Sequence, residues 1–175
     1  MLRSSIKIIV FLQLSVLSLH AQEVPFVVFG EFWDRDSEIL LPGGQVRAVD
    51  ENDSTLVITT KADGKGRYLL ELPFDHIFIV QYSAPGYIGR SFRFDLNGVP
   101  QKKRNGDHGI DVQAPLIRPI EGVDYSVYSE VPFGHCRLNA KGRRFEWDKE
   151  HAAANEELFR SVIEQHDGRR KELGM

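Results

Sequence analysis

Apolar and polar side chains alternate in short runs along much of the chain, and this period of two predicts β-strands. Segment 90–96 is the clearest case, because its phenylalanines and leucine share one face and serine, arginine and aspartate share the other. Glycine, proline and aspartate separate such runs about every 8–12 residues, a spacing typical of β-sandwiches. We predict strands over residues 23–33, 45–49, 56–59, 67–72, 77–82, 90–96 and 110–117.

The last third of the chain has a different pattern, which predicts a hairpin and one helix. Short strands are predicted over residues 125–128, 134–138 and 143–147, the last two forming the hairpin. A short helix is predicted over 149–166, with Asp148 as its N-cap and Gly168 as its stop. Its predicted apolar stripe, which leaves His151 and His166 exposed, consists of Ala152, Phe159, Val162 and Ile163.

These elements predict a mainly β protein, with an antiparallel β-sandwich over residues 22–118 and a C-terminal extension over 119–175. The extension carries the C-terminal β-hairpin and the short helix. Cys136 is expected to be buried. The predicted core of the sandwich consists of Val27, Phe29, Val46, Ile58, Leu70, Ile79, Val80, Phe92 and Phe94.

Residues 1–21 have the pattern of a secretory signal peptide. Arg3 and Lys7 supply the positive n-region, a short apolar stretch follows, and Ala21 is a small residue suited to cleavage. The stretch is shorter than the roughly 20 apolar residues that span a bilayer, although an uncleaved anchor stays open as the alternative. We therefore expect export to the periplasm or cell envelope, or secretion, and a mature protein that does not span the membrane.

Composition narrows the functional classes. The chain has 175 residues, a formal net charge of −3 and one cysteine. The length fits one domain of ordinary size, and the mild acidity argues against a nucleic-acid binder, which carries a basic excess. A single cysteine excludes an internal disulfide framework and a cysteine-based zinc site.

Three segments in fixed order carry a family resemblance: LPGGQV at 41–46, TTKADGKGRY at 59–68 and YSAPGY at 82–87. The order resembles that of the carboxypeptidase regulatory-like domain family, which is a transthyretin-like (prealbumin-like) sandwich. In that family a P-x-G-A-x-V segment, a T-D-x-x-G-x-Y hairpin and a G-Y pair follow one another. This chain departs from the pattern at Gly44-Gln45 and at Ala62-Asp63, and the match covers about residues 24–96.

The resemblance implies a seven-stranded prealbumin-like antiparallel β-sandwich that accompanies other proteins and does not catalyse. It implies a non-catalytic exported module that binds an envelope protein or assists assembly at the bacterial cell envelope. A small carbohydrate- or calcium-binding module is the alternative. A hydrolase of transthyretin-like fold is a third reading, but the terminal motif and paired histidines of that class are missing here.

Motifs for catalysis are absent from the sequence, so no catalytic residue and no enzyme activity are predicted. No histidine pair has the spacing of a zinc peptidase, and no serine lies on a G-x-S-x-G elbow. Asp34, Asp36 and Glu38 alternate as calcium ligands do, but Ile39 stands where an EF-hand needs glycine. No cofactor is therefore predicted, with a calcium turn at these three residues as the one possible exception, beside a plain solvated acidic turn.

Aromatic residues outside the clearest strand interiors could stack on a ligand. Trp33, Tyr87, Tyr125 and Trp147 are the candidate ligand-binding residues. The alternative for each is a place in the core, where aromatic side chains bury large areas.

Overall fold

A computed structural model describes residues 24–106, 108–139, 141 and 144–175. These residues form two β-sheets and a C-terminal helix, which confirms the prediction of a mainly β protein. The predicted signal peptide, residues 1–21, lies outside the described residues. Within the described part, no helix is long and apolar enough to cross a membrane.

Ten strands and two α-helices follow one another in the described part of the chain. The strands are β1 (Phe26–Asp34), β2 (Gln45–Asp50), β3 (Val57–Lys61), β4 (Arg67–Leu72), β5 (Ile77–Ser83), β6 (Arg90–Asp95), β7 (Gly109–Asp111), β8 (Ala114–Leu116), β9 (Gly134–Leu138) and β10 (Phe145–Trp147). The helices are α1 (Val127–Glu130) and α2 (Lys149–Leu173).

The smaller sheet is built on β1, which pairs antiparallel with β4 and parallel with both β7 and β8. The larger sheet has the strand order β10-β9-β6-β5-β2-β3. Its strands are antiparallel except β6 and β9, which run parallel with Phe92 opposite Gly134. A Cβ at Gly134 would lie 3.0 Å from the Trp147 ring and 3.1 Å from the Phe92 ring, so a larger residue there requires the two rings to shift. The prediction of a wholly antiparallel sandwich is wrong at these three parallel pairings.

One apolar core fills the space between the two sheets. The predicted core residues that are buried are Val46, Leu70, Val80, Phe92 and Phe94. On β1 the predicted face is wrong: Phe26 and Val28 are buried, Val27 is half-buried, and Phe29 is 43% exposed. The start of β1 is apolar at successive positions, so its pattern does not fix which face points inward. Ile58 and Ile79 are half-buried.

The C-terminal hairpin is confirmed, since β9 and β10 pair antiparallel, and Cys136 in β9 is buried as expected. Because β9 also pairs with β6, the residues predicted as an extension contribute two strands to the larger sheet. Burial raises the pKa of Cys136 to about 12, so its thiol stays protonated at neutral pH.

Both helices differ from the prediction. The segment 125–128 is not a strand, since residues 127 and 128 begin α1 and residues 125 and 126 belong to no strand. A short apolar run does not distinguish the two states. The C-terminal helix is not short: α2 has 25 residues and passes through Gly168 to Gly174, which caps it with φ 68°. Packing overrides the helix-breaking tendency of Gly168, because the preceding turn is fastened to the sandwich by His166 and Asp167.

A second apolar cluster lies where α1, α2 and the start of β6 meet. Its buried members are Ile117, Tyr128, Phe159 and Val162, and the half-buried Ile88, Val123, Tyr125, Val127, Val131 and Ile163 pack around them. Phe159 stacks edge-on against Tyr128 at 5.3 Å and against Phe133 at 4.8 Å. We call this set the second cluster.

Candidate ligand-binding site

A cavity of about 590 Å³ lies beside the second cluster, where the 124–129 segment faces residues of the larger sheet. Strands β2, β5 and β6 supply one wall. Residues 124–129, which include the start of α1 and which we call the α1 segment, supply the other. The lining residues are Gln45, Arg47, Gln81, Tyr82, Ser83, Tyr87, Ile88, Gly89, Arg90, Ser91, Asp124, Tyr125, Ser126, Tyr128 and Ser129. Two of the predicted ligand-binding residues, Tyr87 and Tyr125, are therefore brought together in one cavity.

Arg90 is the unusual residue of this cavity. Its side chain is only 7% exposed, its Nε has no hydrogen-bond partner, and no carboxylate of the described residues pairs with it. Its guanidinium carbon lies 4.6 Å from the Phe133 ring centroid and 5.7 Å from that of Tyr128. Burial lowers the pKa of Arg90 to about 10, which still leaves the group positively charged at neutral pH.

Tyr128 is a second lining residue with a buried polar atom that has no hydrogen-bond partner. The residue is 3% exposed, and its hydroxyl has no hydrogen-bond partner. Burial raises the pKa of Tyr128, so the hydroxyl remains a proton donor at neutral pH. A buried polar atom without a partner costs about 1–3 kcal/mol, and here two residues that line the same cavity each carry such an atom.

Tyr125 is fixed by a buried chain of hydrogen bonds that reaches α2. Its hydroxyl lies 2.7 Å from Nδ1 of His166, and Nε2 of His166 lies 2.9 Å from Oδ2 of Asp36. Since a carboxylate only accepts, Nε2–H donates to Asp36, and in neutral His166 Nδ1 then accepts the Tyr125 proton. The backbone N–H of Ile120 donates to the same hydroxyl at 3.2 Å. The prediction that His166 is exposed is wrong, because the residue is completely buried.

The turn after β1 uses its carboxylates for hydrogen bonds within the protein. Asp34 is 2% exposed and accepts from the Tyr87 hydroxyl at 2.9 Å and from Nε of Arg118 at 2.8 Å. Its other oxygen accepts the backbone N–H groups of residues 36 and 37. Burial alone would raise the pKa of Asp34, but these hydrogen bonds lower it.

The predicted calcium turn does not assemble around one point. Asp34 is occupied as described, Asp36 is directed to His166 of α2, and Glu38 is exposed. Asp36 also accepts from Arg35 at 2.9 Å and lies 3.2 Å from Arg170.

The prediction that the protein has no cofactor, with calcium as the one possible exception, is contradicted, because a different set of metal-ligand residues converges. Asp36, His166 and Asp167 place three ligand-type atoms within 4.8 Å of one another. Arg35 already binds both oxygens of Asp167, at 2.6 and 3.0 Å. A cation would compete with that guanidinium and with Arg170, so in this structure the three residues act as an ion-pair network that holds α2 against the turn after β1.

The two tryptophans lie elsewhere. Trp33 is half-buried in β1, where it pairs with Pro115. Trp147 packs on Phe92 and Phe94 and lines a smaller cavity of about 310 Å³. Neither tryptophan lines the cavity that holds Tyr87 and Tyr125.

The sequence contains a signal for Arg90 and for His166, although neither is among the predicted ligand-binding residues. Arg90 shares its strand face with Phe92 and Phe94, so a charge falls on an apolar face. His166 follows Phe159 and Val162 at helical spacing on the buried stripe of α2. A polar residue in register with buried apolar ones marks an enclosed polar group.

Comparisons with known proteins give no family. No protein-family profile matches the chain, and no curated protein matches its sequence. Among solved structures, it is similar to a catechol 1,2-dioxygenase of Acinetobacter radioresistens, with 16% identity, a TM-score of 0.42, and coverage of 60% of this chain and 55% of that one. A hydroxyquinol 1,2-dioxygenase of Pseudomonas putida gives 10% identity and a TM-score of 0.39, with coverage of 57% and 58%. The TIE protein of Bacillus anthracis gives 17% identity and a TM-score of 0.42, with coverage of 54% and 18%.

These matches correct the functional expectation. The chain spans about half the length of the solved dioxygenases it matches. At these scores no substrate or reaction is transferred to this chain. The prediction of a non-catalytic module, with no enzyme activity, is nevertheless contradicted, because several of the matched structures are enzymes. We do not retain it.

Proposed function

We propose that this protein binds a small anionic molecule in the cavity between the larger sheet and the 124–129 segment, with Arg90 as the anchor. The observation that carries the proposal is a buried guanidinium without a carboxylate partner in the cavity lining. Removing a charge from water costs several kcal/mol unless a counter-charge offsets it. An anion in this cavity would supply that counter-charge.

The second open atom supports the same ligand chemistry. The hydroxyl of Tyr128 is a proton donor, and its ring lies beside the Arg90 guanidinium. A cationic group and a neutral donor together suit an oxyanion, which accepts hydrogen bonds from both. The two ring contacts of Arg90 offset part of its desolvation but leave its N–H donors unused.

The wall formed by the α1 segment is fixed before any ligand arrives. Tyr125 is tied through His166 to Asp36, and Tyr128 packs on Phe159 of α2. A preformed wall lowers the entropy cost of binding, because few side chains need to be ordered on association. The cavity is therefore suited to a ligand that enters without large rearrangement.

A thermal-shift experiment tests the proposal. The purified protein is heated with a panel of organic carboxylates, phosphates and sulfonates, beside the Arg90→Met variant. We expect at least one anion to raise the Tm of the wild type by roughly 5–10 °C at about 100 times Kd. Arg90→Met should show no such rise.

The matched control is Arg67→Gln, which removes an exposed arginine on β4 that is paired with Asp63. This variant should keep the response to the same anion. Failure of every anion to stabilise the wild type would contradict the proposal, as would equal stabilisation of the wild type and Arg90→Met.

We also propose a family, a number of strands in the sandwich and a location for this protein, each from its sequence. The ordered motifs of residues 41–87 support membership of the carboxypeptidase regulatory-like family, with a seven-stranded prealbumin-like core inside the larger set of strands. The pattern of residues 1–21 supports export to the cell envelope, where a protein partner is also proposed. The proposed boundary between the sandwich domain (22–118) and the C-terminal extension (119–175) is placed where the family resemblance fades.

A further inference from the structure

We infer that the anion is a carboxylate carried on a flat, largely apolar organic body, rather than a phosphate. This inference rests on the proposed function and names the ligand class of the same cavity. It follows from three properties of the lining: the number of buried charges, the volume, and the kind of side chains that surround Arg90.

The charges of the lining favour a single negative charge. Arg90 is the one buried charged residue among those that line the cavity, all of which are described. The other two, Arg47 and Asp124, are exposed and opposite in sign. A carboxylate carries one charge, whereas a phosphate monoester carries about −1.5 to −2 at pH 7. One guanidinium neutralises the first, and the second would leave part of a buried charge uncompensated.

The volume excludes a bare inorganic ion as the natural occupant. About 590 Å³ lies within the range of roughly 300–1,000 Å³ that holds organic ligands of intermediate size. An inorganic ion or acetate would contact Arg90 and leave most of this volume to water. The ligand therefore has a body beyond its charged group.

The side chains around Arg90 describe that body. The half-buried Tyr87 and Tyr125 line the cavity together with Ile88, so aromatic side chains and an aliphatic one are available. Flat rings pack against such surfaces by stacking or edge contacts. Apart from the exposed Arg47 and Asp124, most of the remaining lining is made of serine and glutamine side chains, which are uncharged and suit hydroxyl or carbonyl groups on the same body.

Four probes with controlled differences test the class by isothermal titration calorimetry on the full-length protein. Naphthalene-2-carboxylate carries the body and one charge, and 2-naphthyl phosphate carries the same body with more charge. The compound 2-naphthol carries the body without a full charge, and acetate carries the charge without the body. We expect the carboxylate to bind one per protein, and the phosphate and the naphthol to bind at least about tenfold more weakly. Acetate should give no heat in the same concentration range.

The outcomes separate the two proposals. If 2-naphthyl phosphate binds as tightly as the carboxylate or more tightly, and Arg90→Met abolishes its binding, the ligand class is wrong and the anion site stands. If 2-naphthol equals the carboxylate, the charge is not recognised and both proposals fail. Failure of all four probes overturns the class inferred here, while the wider anion panel decides the proposed function.

Discussion

The core between the sheets and the second cluster treat buried polar atoms differently. In the sheet core, the Tyr68 hydroxyl donates to the carbonyl of Val112 at 2.7 Å and lies 3.2 Å from the hydroxyl of Tyr82. In the second cluster, the Tyr128 hydroxyl is buried without a hydrogen-bond partner, and so is Nε of Arg90, whose guanidinium lies over the Tyr128 ring. Buried tyrosine hydroxyls thus have hydrogen-bond partners between the sheets, whereas two buried donors beside the cavity have none.

The two regions also differ in what holds them together. The sheet core is held together by hydrogen-bonded strand pairs and by contacts between aromatic rings. The second cluster has four buried apolar side chains, supplemented by the ion pairs of Arg35 and Asp167 and by the His166 chain of hydrogen bonds. This contrast indicates that the sheets bury most of the apolar side chains, and that ion pairs and hydrogen bonds fix the region around α2.

The largest effect is expected in the sheet core. Phe94 is completely buried and packs on Phe26 and Trp147, so Phe94→Ala leaves a cavity and removes apolar contacts. We expect the free energy of unfolding to fall by about 3–5 kcal/mol, measured by urea denaturation. Phe29→Ala is the control, because Phe29 is 43% exposed on the outer face of β1. A similar loss in both variants would contradict the assignment of the inner face.

A more local effect is expected in the second cluster. Phe159 on α2 is buried against Tyr128 and Phe133. Phe159→Ala should cost about 2–3 kcal/mol, since the loss is limited by the free energy that docks α2. Hydrogen exchange should rise in α1 and α2 and stay unchanged in β2 and β5. The neighbouring Leu158→Ala, at a side chain 49% exposed, should leave exchange unchanged. Uniform loss of protection would show that the two regions unfold together.

The next effect concerns the hydrogen bonds of Tyr125. Tyr125→Phe keeps the ring but leaves Nδ1 of His166 and the N–H of Ile120 without their partner. We expect a loss of about 1–3 kcal/mol in the free energy of unfolding, together with weaker anion binding, because the wall is no longer fixed. Tyr87→Phe is the control for stability, since Asp34 keeps its bonds to Arg118 and to the backbone. An unchanged anion affinity in Tyr125→Phe would show that the hydrogen bonds from Tyr125 through His166 to Asp36 do not position the wall for binding.

An opposite sign is expected for Arg90→Met. This variant replaces a buried, unpaired charge with an apolar side chain, and we expect the unliganded protein to gain about 1 kcal/mol. The same variant should lose anion binding. This combination is expected where a residue is kept for function at a cost in stability. Thermal unfolding without ligand measures the gain. A clear loss of stability would show that the ring contacts of Arg90 are structural.

The smallest effect is a pH dependence of α2 docking. The hydrogen bond from Arg35 outweighs burial and lowers the pKa of Asp167 below its ordinary 3.8. The stability contributed by this pair is therefore full above pH 3.8 and is lost as the pH falls through the lower folded-state value. Fluorescence or exchange measurements at pH 5 and pH 3 should show looser α2 docking at the lower pH. Asp167→Asn should show less of this change.

Much of the architecture was predictable from residue pattern, and the exceptions have physical causes. Clean alternation in β4 and β6 fixed the inward residues Leu70, Phe92 and Phe94. Continuous apolar sequence at the start of β1 did not fix its face, and the parallel pairing of β9 with β6 depends on contacts distant in the chain.

The candidate site was less predictable than the fold. Tyr87 and Tyr125 were selected as aromatic residues, but their meeting in one cavity depends on how α1 packs. Arg90 lies at a strand end, where a charged residue is usually solvated, but here Tyr128 and Phe133 cover its guanidinium. Enclosure by segments remote in sequence is a tertiary effect that local periodicity does not report.

The most direct measurement is a crystal structure of the protein with bound naphthalene-2-carboxylate. We predict a carboxylate oxygen about 3 Å from the Arg90 guanidinium, with the ring system between the α1 segment and the larger sheet. A ligand held at the exposed Arg47 with no contact to Arg90, or outside this cavity, would contradict the account.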